Sequence, residues 1–276
     1  MTVYPFVLRI GPLAVTGFGI MMVLAFVFAN WAIQLELRRR RLDAEYAADI
    51  VIGAVLGGLV GAKLWYVALT GESPISRGGF VWYGGLVGGA LGVVFNSWRR
   101  RVPVAFTAEL VAPALALGYA IGRVGCFLVG DDYGLPTTLP WGVKFPAGLP
   151  PTTVANLMQL HTAFPPGTDP AQVVAVHPTQ VYETVLMLLA TAWLWRHRDD
   201  PHATGWLFGC YLMIAGVERF AIEFLRAKDD RLLQGFTIAQ VMSAVLIAVG
   251  VWLVWRLRDP STVGGQPAAL VKKPGA

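Results

Sequence analysis

Long apolar runs separated by short polar connections fill most of the 276-residue chain. A helix that crosses a bilayer needs about 20 mostly apolar residues. Seven runs reach or approach this length and predict seven membrane-spanning helices, called spans 1 to 7 below: 13–35, 46–69, 80–97, 104–128, 179–196, 204–226 and 235–256. The first run is not typical of a signal peptide, because its positive cluster follows the apolar residues instead of preceding them. The pattern therefore predicts an all-α integral membrane protein.

Composition excludes the common soluble classes. Hydrophobic residues make up 55% of the chain and charged residues only 14%, whereas an ordinary soluble domain has about 25% charged residues. A folded particle of this size cannot hide so much apolar surface from water, and the same numbers exclude intrinsic disorder. The net charge of +5 does not indicate nucleic-acid binding, because Lys and Arg in a membrane protein mark first of all the cytoplasmic side.

The distribution of basic residues predicts the orientation. Thirteen of the 22 Lys and Arg residues follow spans 1, 3, 5 and 7, six lie in the alternate connections, and three lie in or at the edge of spans. Short cytoplasmic loops carry the excess of Lys and Arg. The N-terminus is therefore expected outside and the C-terminus in the cytoplasm.

The long connection between spans 4 and 5 is rich in Pro, Gly and Thr and nearly free of Lys and Arg. The topology makes it extracytoplasmic, with a short strand expected at 141–145 and a short amphipathic helix at 154–164. A structureless loop of this length is uncommon unless it is functional. The predicted organisation is spans 1–4 in residues 1–129, a head segment in 130–176, spans 5–7 in 177–258 and a disordered cytoplasmic tail in 259–276.

Glycines recur at four-residue intervals in span 2, at Gly53, Gly57 and Gly61, and cluster in span 3. Small residues at this spacing let helices approach closely in lipid. The pattern predicts close packing of two helices, and a face that leaves room for a lipid tail is the alternative.

Polar and ionisable residues in or beside the spans are concentrated on the predicted outer side. Each ionisable group costs roughly 2.5–3.5 kcal/mol at a helix centre by insertion scales and is a candidate for function. The candidates are Lys63, Tyr83, Arg123, Asp131, Asp132, His177, Gln180, Glu183, Arg219, Glu223 and Arg226. Because two of the arginines come from different helices at the outer boundary, the set favours a phosphate clamp.

The trio in span 6 shares one helix face, because Arg219, Glu223 and Arg226 are spaced i, i+4 and i+7. Glu223 is expected to pair with one arginine and to leave the other for a ligand. The alternative is a structural ion pair that reaches the membrane interface.

The start of span 5 contains a second polar group. Pro178 suits the first helical position and His177 the cap, while Glu183 faces inward if Val181 faces lipid. The alternatives are a helix cap without chemistry for His177 and a simple turn for Asp131 and its neighbour.

Five motifs, taken together, resemble those of the prolipoprotein diacylglyceryl transferase family. In chain order they read GAKLWY (61–66), WYGGLVG (82–88), GRVGCFLVGDDYG (122–134), HPTQVYE (177–183) and RFAIEFLR (219–226). They are similar to the family's GARxxY, HGGLxG, GRxGNFxNGExxG, HP(S/T)QLYE and RFxxExxR. Order, spacing and the seven-span layout agree over almost the whole chain.

Several positions depart from the family pattern. The family has His at Tyr83, Asn at Cys126 and Val129, Glu at Asp131, and usually Tyr at Ala215. The arginines that the resemblance assigns to phosphate binding, Arg123 and Arg219, are retained.

The resemblance implies a transferase of the bacterial plasma (inner) membrane. Such an enzyme moves the diacylglyceryl group of phosphatidylglycerol onto the thiol of a lipobox cysteine in a prolipoprotein signal peptide, and glycerol phosphate leaves. Neither cofactor nor metal is expected, and the partners are phosphatidylglycerol, the signal peptide and the lipid bilayer, with no nucleic acid. The implied catalytic residues are Arg123, Arg219, Tyr83, His177, Glu183 and Asp131, and the implied binding residues are Arg123, Gln180, Glu223, Arg226 and Lys63.

The chemistry of the thiol does not determine which residue acts as the general base. A free thiol has a pKa near 8.5, so only a few per cent is thiolate at neutral pH, and arginines near it raise that fraction. If a base is used, the candidates are His177, Glu183 and Asp131, while Tyr83 is better suited to hydrogen-bond a phosphate or carbonyl oxygen.

Two other functions stay open. A relative with these departures could bind anionic phospholipid without this transfer, or use a different acceptor. A transporter or channel could use the outer polar residues as a gate, but it should carry polar residues through the full membrane depth, and here they stop at the outer half.

Overall fold

The structure is a computed structural model and describes residues 1–73, 75, 79–160, 162–227, 231–233, 235–259 and 267–271. Its architecture is helical, with two short antiparallel hairpins. The helices are α1 (Gly17–Arg39), α2 (Tyr46–Thr70), α3 (Trp82–Arg99), α4 (Val104–Val129), α5 (Val154–Gln159), α6 (Thr179–Arg196), α7 (Trp206–Glu223) and α8 (Ile238–Arg256). The strands are β1 (Val7–Ile10), β2 (Leu13–Thr16), β3 (Arg231–Leu233) and β4 (Phe236–Thr237).

Among the described residues, four helices are long and apolar enough to cross a membrane: α1, α2, α4 and α8. Helices α3, α6 and α7 are each 18 residues long. These findings agree with a helical integral membrane protein, and the total of seven spans stays a prediction.

The start of span 1 was placed wrongly by the apolar pattern. Residues 13–16 form β2, which pairs with β1 from Val7↔Thr16 to Ile10↔Leu13. Helix α1 begins at Gly17 because the side chain of Thr16 accepts a hydrogen bond from the Gly19 amide, which is a helix cap. The hairpin therefore takes the first four residues of the predicted span.

Helix α4 is the centre of the fold. It packs against α1 on one side and against α6 and α7 on the other. One apolar cluster joins α1, α2 and α4, and a second joins α4, α6 and α7. This position matters for function, because the last turns of α4 carry Arg123 into the space between α6 and α7.

Helices α2 and α3 form an antiparallel pair with a contact surface made of glycine. The residues that form this glycine seam are Gly53, Gly57, Gly61, Gly84, Gly88 and Gly92. A Cβ atom added at Gly57 would lie 2.3 Å from the carbonyl oxygen of Gly88, far inside van der Waals contact. Close packing is therefore confirmed, and along this seam no space remains for a lipid tail.

Residues between α4 and α6 form a compact segment. The expected strand at 141–145 is wrong: Val143 and Lys144 make only isolated bridges, to Val176 and Thr2. The expected helix at 154–164 is present as α5 but ends at Gln159. A local apolar cluster holds the segment together, with Phe145 fully buried at its centre.

The predicted disordered tail falls partly outside the described residues, which omit 260–266 and 272–276. Residues 267–271 contradict the prediction. Ala268–Leu270 form a 3-10 turn, and Leu270 is 1% exposed in the cluster that joins α1, α2 and α4. The Asp43 amide donates a hydrogen bond of 2.9 Å to the Leu270 carbonyl. The buried side chain of Leu270 thus attaches residues 267–271 to helices α1, α2 and α4.

Candidate active site

The ends of α4 and α7 are joined by main-chain pairing. Helix α4 ends at Gly130, which has a positive φ of 68° and turns the chain. Gly134 then forms an antiparallel bridge with Arg226, and the Leu135 amide donates to the Leu225 carbonyl at 2.7 Å. A Cβ at Gly134 would lie 2.5 Å from that carbonyl oxygen, so this approach requires glycine.

This pairing brings two arginines to one carboxylate. Asp132 adopts a positive φ of 60°, which Asp tolerates better than most residues. Its Oδ1 accepts a hydrogen bond of 2.6 Å from Arg226 Nη2, and its Oδ2 accepts one of 2.9 Å from Arg123 Nη1. Arg123 also donates from Nη2 to Glu183 Oε1 on α6 at 2.9 Å. Three segments of the chain are therefore linked through buried charges.

A third arginine lies beside them on α7. Arg219 Nη2 lies 2.6 Å from Glu223 Oε2, and Arg226 Nε lies 3.8 Å from the same oxygen. The arginine–carboxylate cluster is defined as Arg123, Asp132, Glu183, Arg219, Glu223 and Arg226. The prediction that Glu223 pairs with one arginine is confirmed, but Arg226 is not left free, because Asp132 takes it.

Hydrogen bonds from α4 and α6 hold the carboxylates in place. The Tyr119 hydroxyl donates to Glu183 Oε2 at 2.7 Å. Gln180 Nε2 donates to the Asp131 carbonyl at 2.6 Å, and the Thr179 hydroxyl donates to the Asp132 carbonyl at 2.9 Å. Gln180 and Glu183 are 0% and 1% exposed, and Val181 between them is exposed, so the predicted inward direction of Glu183 is confirmed.

The two adjacent aspartates have opposite electrostatic environments. Burial raises the pKa of Asp132, but the charges and hydrogen bonds of Arg226 and Arg123 outweigh it and hold the pKa well below its ordinary value. Burial and the neighbouring Asp132 charge raise the pKa of Asp131. Both aspartates were candidates from sequence, and the structure places Asp132 against the arginines.

His177 lies at the edge of the cluster and does not cap α6. The helix begins at Thr179 with Pro178 in the cap position, where no side chain makes a capping bond. The His177 ring instead lies 3.3 Å, through Nδ1, from the Tyr182 hydroxyl. That hydroxyl accepts a hydrogen bond of 2.7 Å from Trp141 Nε1. The assignment of His177 as a cap is therefore wrong by one position, because Pro178 precedes the first helical residue.

Two candidates lie on the α2–α3 pair. Tyr83 is 37% exposed, packs edge to face on Trp82, and makes no hydrogen bond to the described residues. Lys63 Nζ lies 5.1 Å from the ring centroid of Tyr66 and 5.7 Å from that of Phe80. The structure thus gathers nine of the eleven candidate residues around the ends of α4, α6 and α7, whereas Tyr83 and Lys63 lie on the α2–α3 pair.

Sequence reasoning missed one side chain that touches the cluster and one that lies beside it. Tyr119 was not singled out, although it lies one helical turn before Arg123 on the same face. Glu218 was also missed: it is an ionisable residue inside an apolar run, next to Arg219, and is 6% exposed. The sequence signal that could have identified Glu218 is an ionisable residue inside an apolar run.

The cluster can bind an anion at one place in particular. The Arg219 side chain is 26% exposed as a whole, and its Nη1 is a buried donor that has no hydrogen-bond partner among the described residues. Arg123 directs both Nη donors to protein carboxylates, and Arg226 directs its Nη2 to Asp132. A planar guanidinium with an unused donor is well suited to a phosphate oxygen.

Comparison with known proteins gives one consistent result. The relatives include proteins named phosphatidylglycerol–prolipoprotein diacylglyceryl transferase from Nitratidesulfovibrio vulgaris (33% identical over 91% of this chain and 93% of the relative), Synechococcus elongatus (32%, 91% and 86%) and Clostridium tetani (29%, 90% and 96%). The family model described as "Prolipoprotein diacylglyceryl transferase" matches residues 5–256. Because this match includes every element of the site, the chain belongs to the prolipoprotein diacylglyceryl transferase family.

Proposed function

We propose that this protein transfers the diacylglyceryl group of phosphatidylglycerol to the thiol of a lipobox cysteine in a prolipoprotein signal peptide, the first step of lipoprotein maturation. Membership of the family and the names of the relatives support this function. The observation that carries it is the unused Nη1 donor of Arg219, which lies beside a set of arginines that are otherwise neutralised by protein carboxylates.

The unused donor is suited to the phosphate of the lipid. In the transfer, sulfur attacks a glyceryl carbon, the carbon–oxygen bond to the phosphate breaks, and negative charge builds on the departing phosphate. A guanidinium fixed before the reaction stabilises that charge most strongly in a site with little water. Arg219 is the proposed phosphate ligand, and Arg123 and Arg226 hold Asp132 and Glu183 in place.

The other candidate residues have further roles in this proposal. Gln180 fixes the turn after α4 through its bond to the Asp131 carbonyl. His177 and Asp131 remain candidates to receive the thiol proton. Lys63 and Tyr83 lie toward the predicted outer side of the α2–α3 pair, where they are suited to contact the polar head of a lipid that enters beside that pair.

The proposed topology has seven spans, α1 to α4 and α6 to α8. The N-terminus is outside, the C-terminus is in the cytoplasm, and residues 130–176 form the extracytoplasmic head. The uneven distribution of Lys and Arg supports this orientation. It puts the arginine–carboxylate cluster at the outer leaflet of the bacterial inner membrane, where a secreted signal peptide presents its cysteine.

The direct test is an assay with the full-length protein in liposomes. Phosphatidylglycerol that is labelled in its acyl chains is mixed with a peptide that contains a lipobox cysteine, and a matched peptide with serine in place of the cysteine serves as the control. We expect label on the cysteine peptide only, and less with phosphatidylethanolamine as the lipid. No label on the peptide with any anionic phospholipid would contradict the proposal.

A second function, binding of anionic lipid without transfer, is favoured by one observation. Tyr83 packs on Trp82 and makes no hydrogen bond to the described residues, and Ala215 offers no hydroxyl at the position where the family usually has Tyr. If Tyr83 supplies that missing hydroxyl, Tyr83→Phe should abolish transfer and spare the fold, whereas the exposed Tyr4→Phe should have no effect. Full transfer by Tyr83→Phe would exclude that role, and unchanged lipid affinity without transfer in the parent would support binding alone.

A further inference from the structure

A buried carboxyl that belongs to none of the ion pairs lies next to the arginine–carboxylate cluster. Glu218 is on α7 and is 6% exposed. Helix periodicity puts Tyr211, Ala215 and Ile222 on the same face as Glu218. Tyr211 and Ala215 pack against the cluster of apolar residues that α4 and α6 contribute. Glu218 is therefore directed from α7 toward α4 and α6.

The opposite face of α7 is fully used for helix packing. A Cβ at Gly216 would lie 2.9 Å from the carbonyl oxygen of Ser243 on α8, and a Cβ at Gly209 would lie 2.9 Å from the Cβ of Leu253 on the same helix. Because Gly216 lies about 200° from Glu218 around the helix axis, α8 does not cover the carboxyl. Glu218 faces the interior that also holds Arg123 and Glu183.

Glu218 has no arginine of its own. Among the described residues, Asp132, Glu183 and Glu223 each have an arginine nitrogen within 3.0 Å, and the three arginines of the cluster are used by these three carboxylates. Glu218 forms no ion pair there, and its Oε1 is buried without a hydrogen-bond partner. A buried polar atom without a partner is costly and calls for an explanation.

The groups that face Glu218 come from all three helices of this interior. Arg123 and Tyr119 on α4, Glu183 on α6, and Tyr211, Arg219 and Arg226 at or beside α7 all interact with it electrostatically. Glu218 can therefore gain or lose a proton without breaking an ion pair. Glu183 cannot, because its charge holds the guanidinium of Arg123.

We propose that Glu218 is the catalytic group that takes the proton from the attacking cysteine thiol. The inference rests on the proposed transfer. As the sulfur–carbon bond forms, the thiol proton moves to the Glu218 carboxylate, the carbon–oxygen bond breaks, and its electron pair stays on the phosphate oxygen. The proton then passes from Glu218 to the released glycerol phosphate. No oxidant, reductant or cofactor is needed, and the carboxylate is regenerated for the next cycle.

The test compares two nucleophiles in the full-length protein. One lipobox peptide carries cysteine, and the other carries selenocysteine, whose selenol is ionised at neutral pH and needs no base. General-base catalysis contributes about 10²–10⁴-fold. Glu218→Gln should therefore lower transfer to the cysteine peptide at least about 100-fold and transfer to the selenocysteine peptide less than about 10-fold. Glu45→Gln, at an exposed position near the start of α2, should change neither rate.

Two further measurements separate a catalytic from a structural role. Binding of phosphatidylglycerol liposomes should be unchanged in Glu218→Gln, and the variant should fold, because Gln keeps the volume of the buried side chain and breaks no ion pair. Glu218→Asp keeps a carboxyl. The ratio of its transfer rate with the selenocysteine peptide to its rate with the cysteine peptide should therefore lie between the ratios of the parent and of Glu218→Gln.

The outcomes are distinguishable. Equal losses with both peptides, or no loss with the cysteine peptide, would overturn the role of Glu218 alone. Absence of transfer by the parent to either peptide would overturn the proposed function, and the inference would fall with it.

Discussion

The two arginines of the proposed phosphate site should respond differently to replacement by lysine. Arg123 uses three nitrogens for two carboxylates: Nη1 donates to Asp132 and Nη2 to Glu183 at 2.9 Å each, and Nε pairs with the second oxygen of Glu183. A lysine ammonium is a compact point charge and can keep only one of these contacts. A hydrogen bond to a charged group is worth about 1.5–3 kcal/mol, and Glu183 is almost fully buried. Arg123→Lys should therefore lower the free energy of unfolding by about 2–4 kcal/mol.

Arg219 makes one ion pair, to Glu223 four residues later, and is partly exposed. Lysine can make the same pair, so Arg219→Lys should lower the free energy of unfolding by at most about 1 kcal/mol. Its unused Nη1 is lost, however, and with it a charge-assisted hydrogen bond to the lipid phosphate. Affinity for phosphatidylglycerol should fall roughly 10-fold or more.

Thermal unfolding in detergent and binding to phosphatidylglycerol liposomes measure the two effects separately. A change of 1 kcal/mol corresponds to about 2–4 °C in a domain of this size class. Arg123→Lys should lower Tm by about 4–16 °C, whereas Arg219→Lys should lower Tm by less than about 4 °C. The reasoning is refuted if Arg219→Lys binds lipid as tightly as the parent, or if both variants lose the same stability.

Three further predictions follow from the fold. A cysteine at Thr168 should react with an impermeant thiol reagent in intact cells; reaction only after lysis would reverse the proposed topology. Gly57→Ala should destabilise the protein, because its Cβ would lie 2.3 Å from a carbonyl oxygen, whereas Gly58→Ala, with 3.5 Å of space, should be tolerated; equal Tm values would contradict the close packing. Since the folded pKa of Asp132 is lowered, its stabilisation is present above about pH 4 and is lost as the pH falls, so Asp132→Asn should flatten the acid limb of a plot of Tm against pH, and an unchanged limb would exclude Asp132 as its source.

Much of the helical layout could be predicted because apolar length is a strong signal in membrane proteins. The spans at 46–69, 104–128 and 179–196 agree with α2, α4 and α6 within one residue at each end. The N-terminal hairpin could not be predicted, because a strand such as Leu13–Thr16 is apolar too and continues without a break into α1. What separates them is the cap at Thr16, a local hydrogen bond rather than a pattern.

Part of the candidate site could also be predicted from the sequence. The sequence identified Arg123, Glu183 and Arg226 at the predicted outer ends of spans. An ionisable residue in a membrane span is costly and is therefore a candidate for function. Which aspartate meets the arginines could not be predicted, since that depends on the turn after Gly130 and on the positive φ of Asp132. Both are properties of the folded backbone rather than of residue type.

The glycine seam also determines how α2 and α3 align when the protein assembles. Three glycine pairs meet along it, Gly53 with Gly92, Gly57 with Gly88 and Gly61 with Gly84 in the antiparallel pair. A slip of one residue would turn side chains into the contact, and a slip of four, about 6 Å along the axis, would keep only two of the three pairs. The register of this hairpin is therefore specified by two consecutive helices alone, before α4 or any later helix is present.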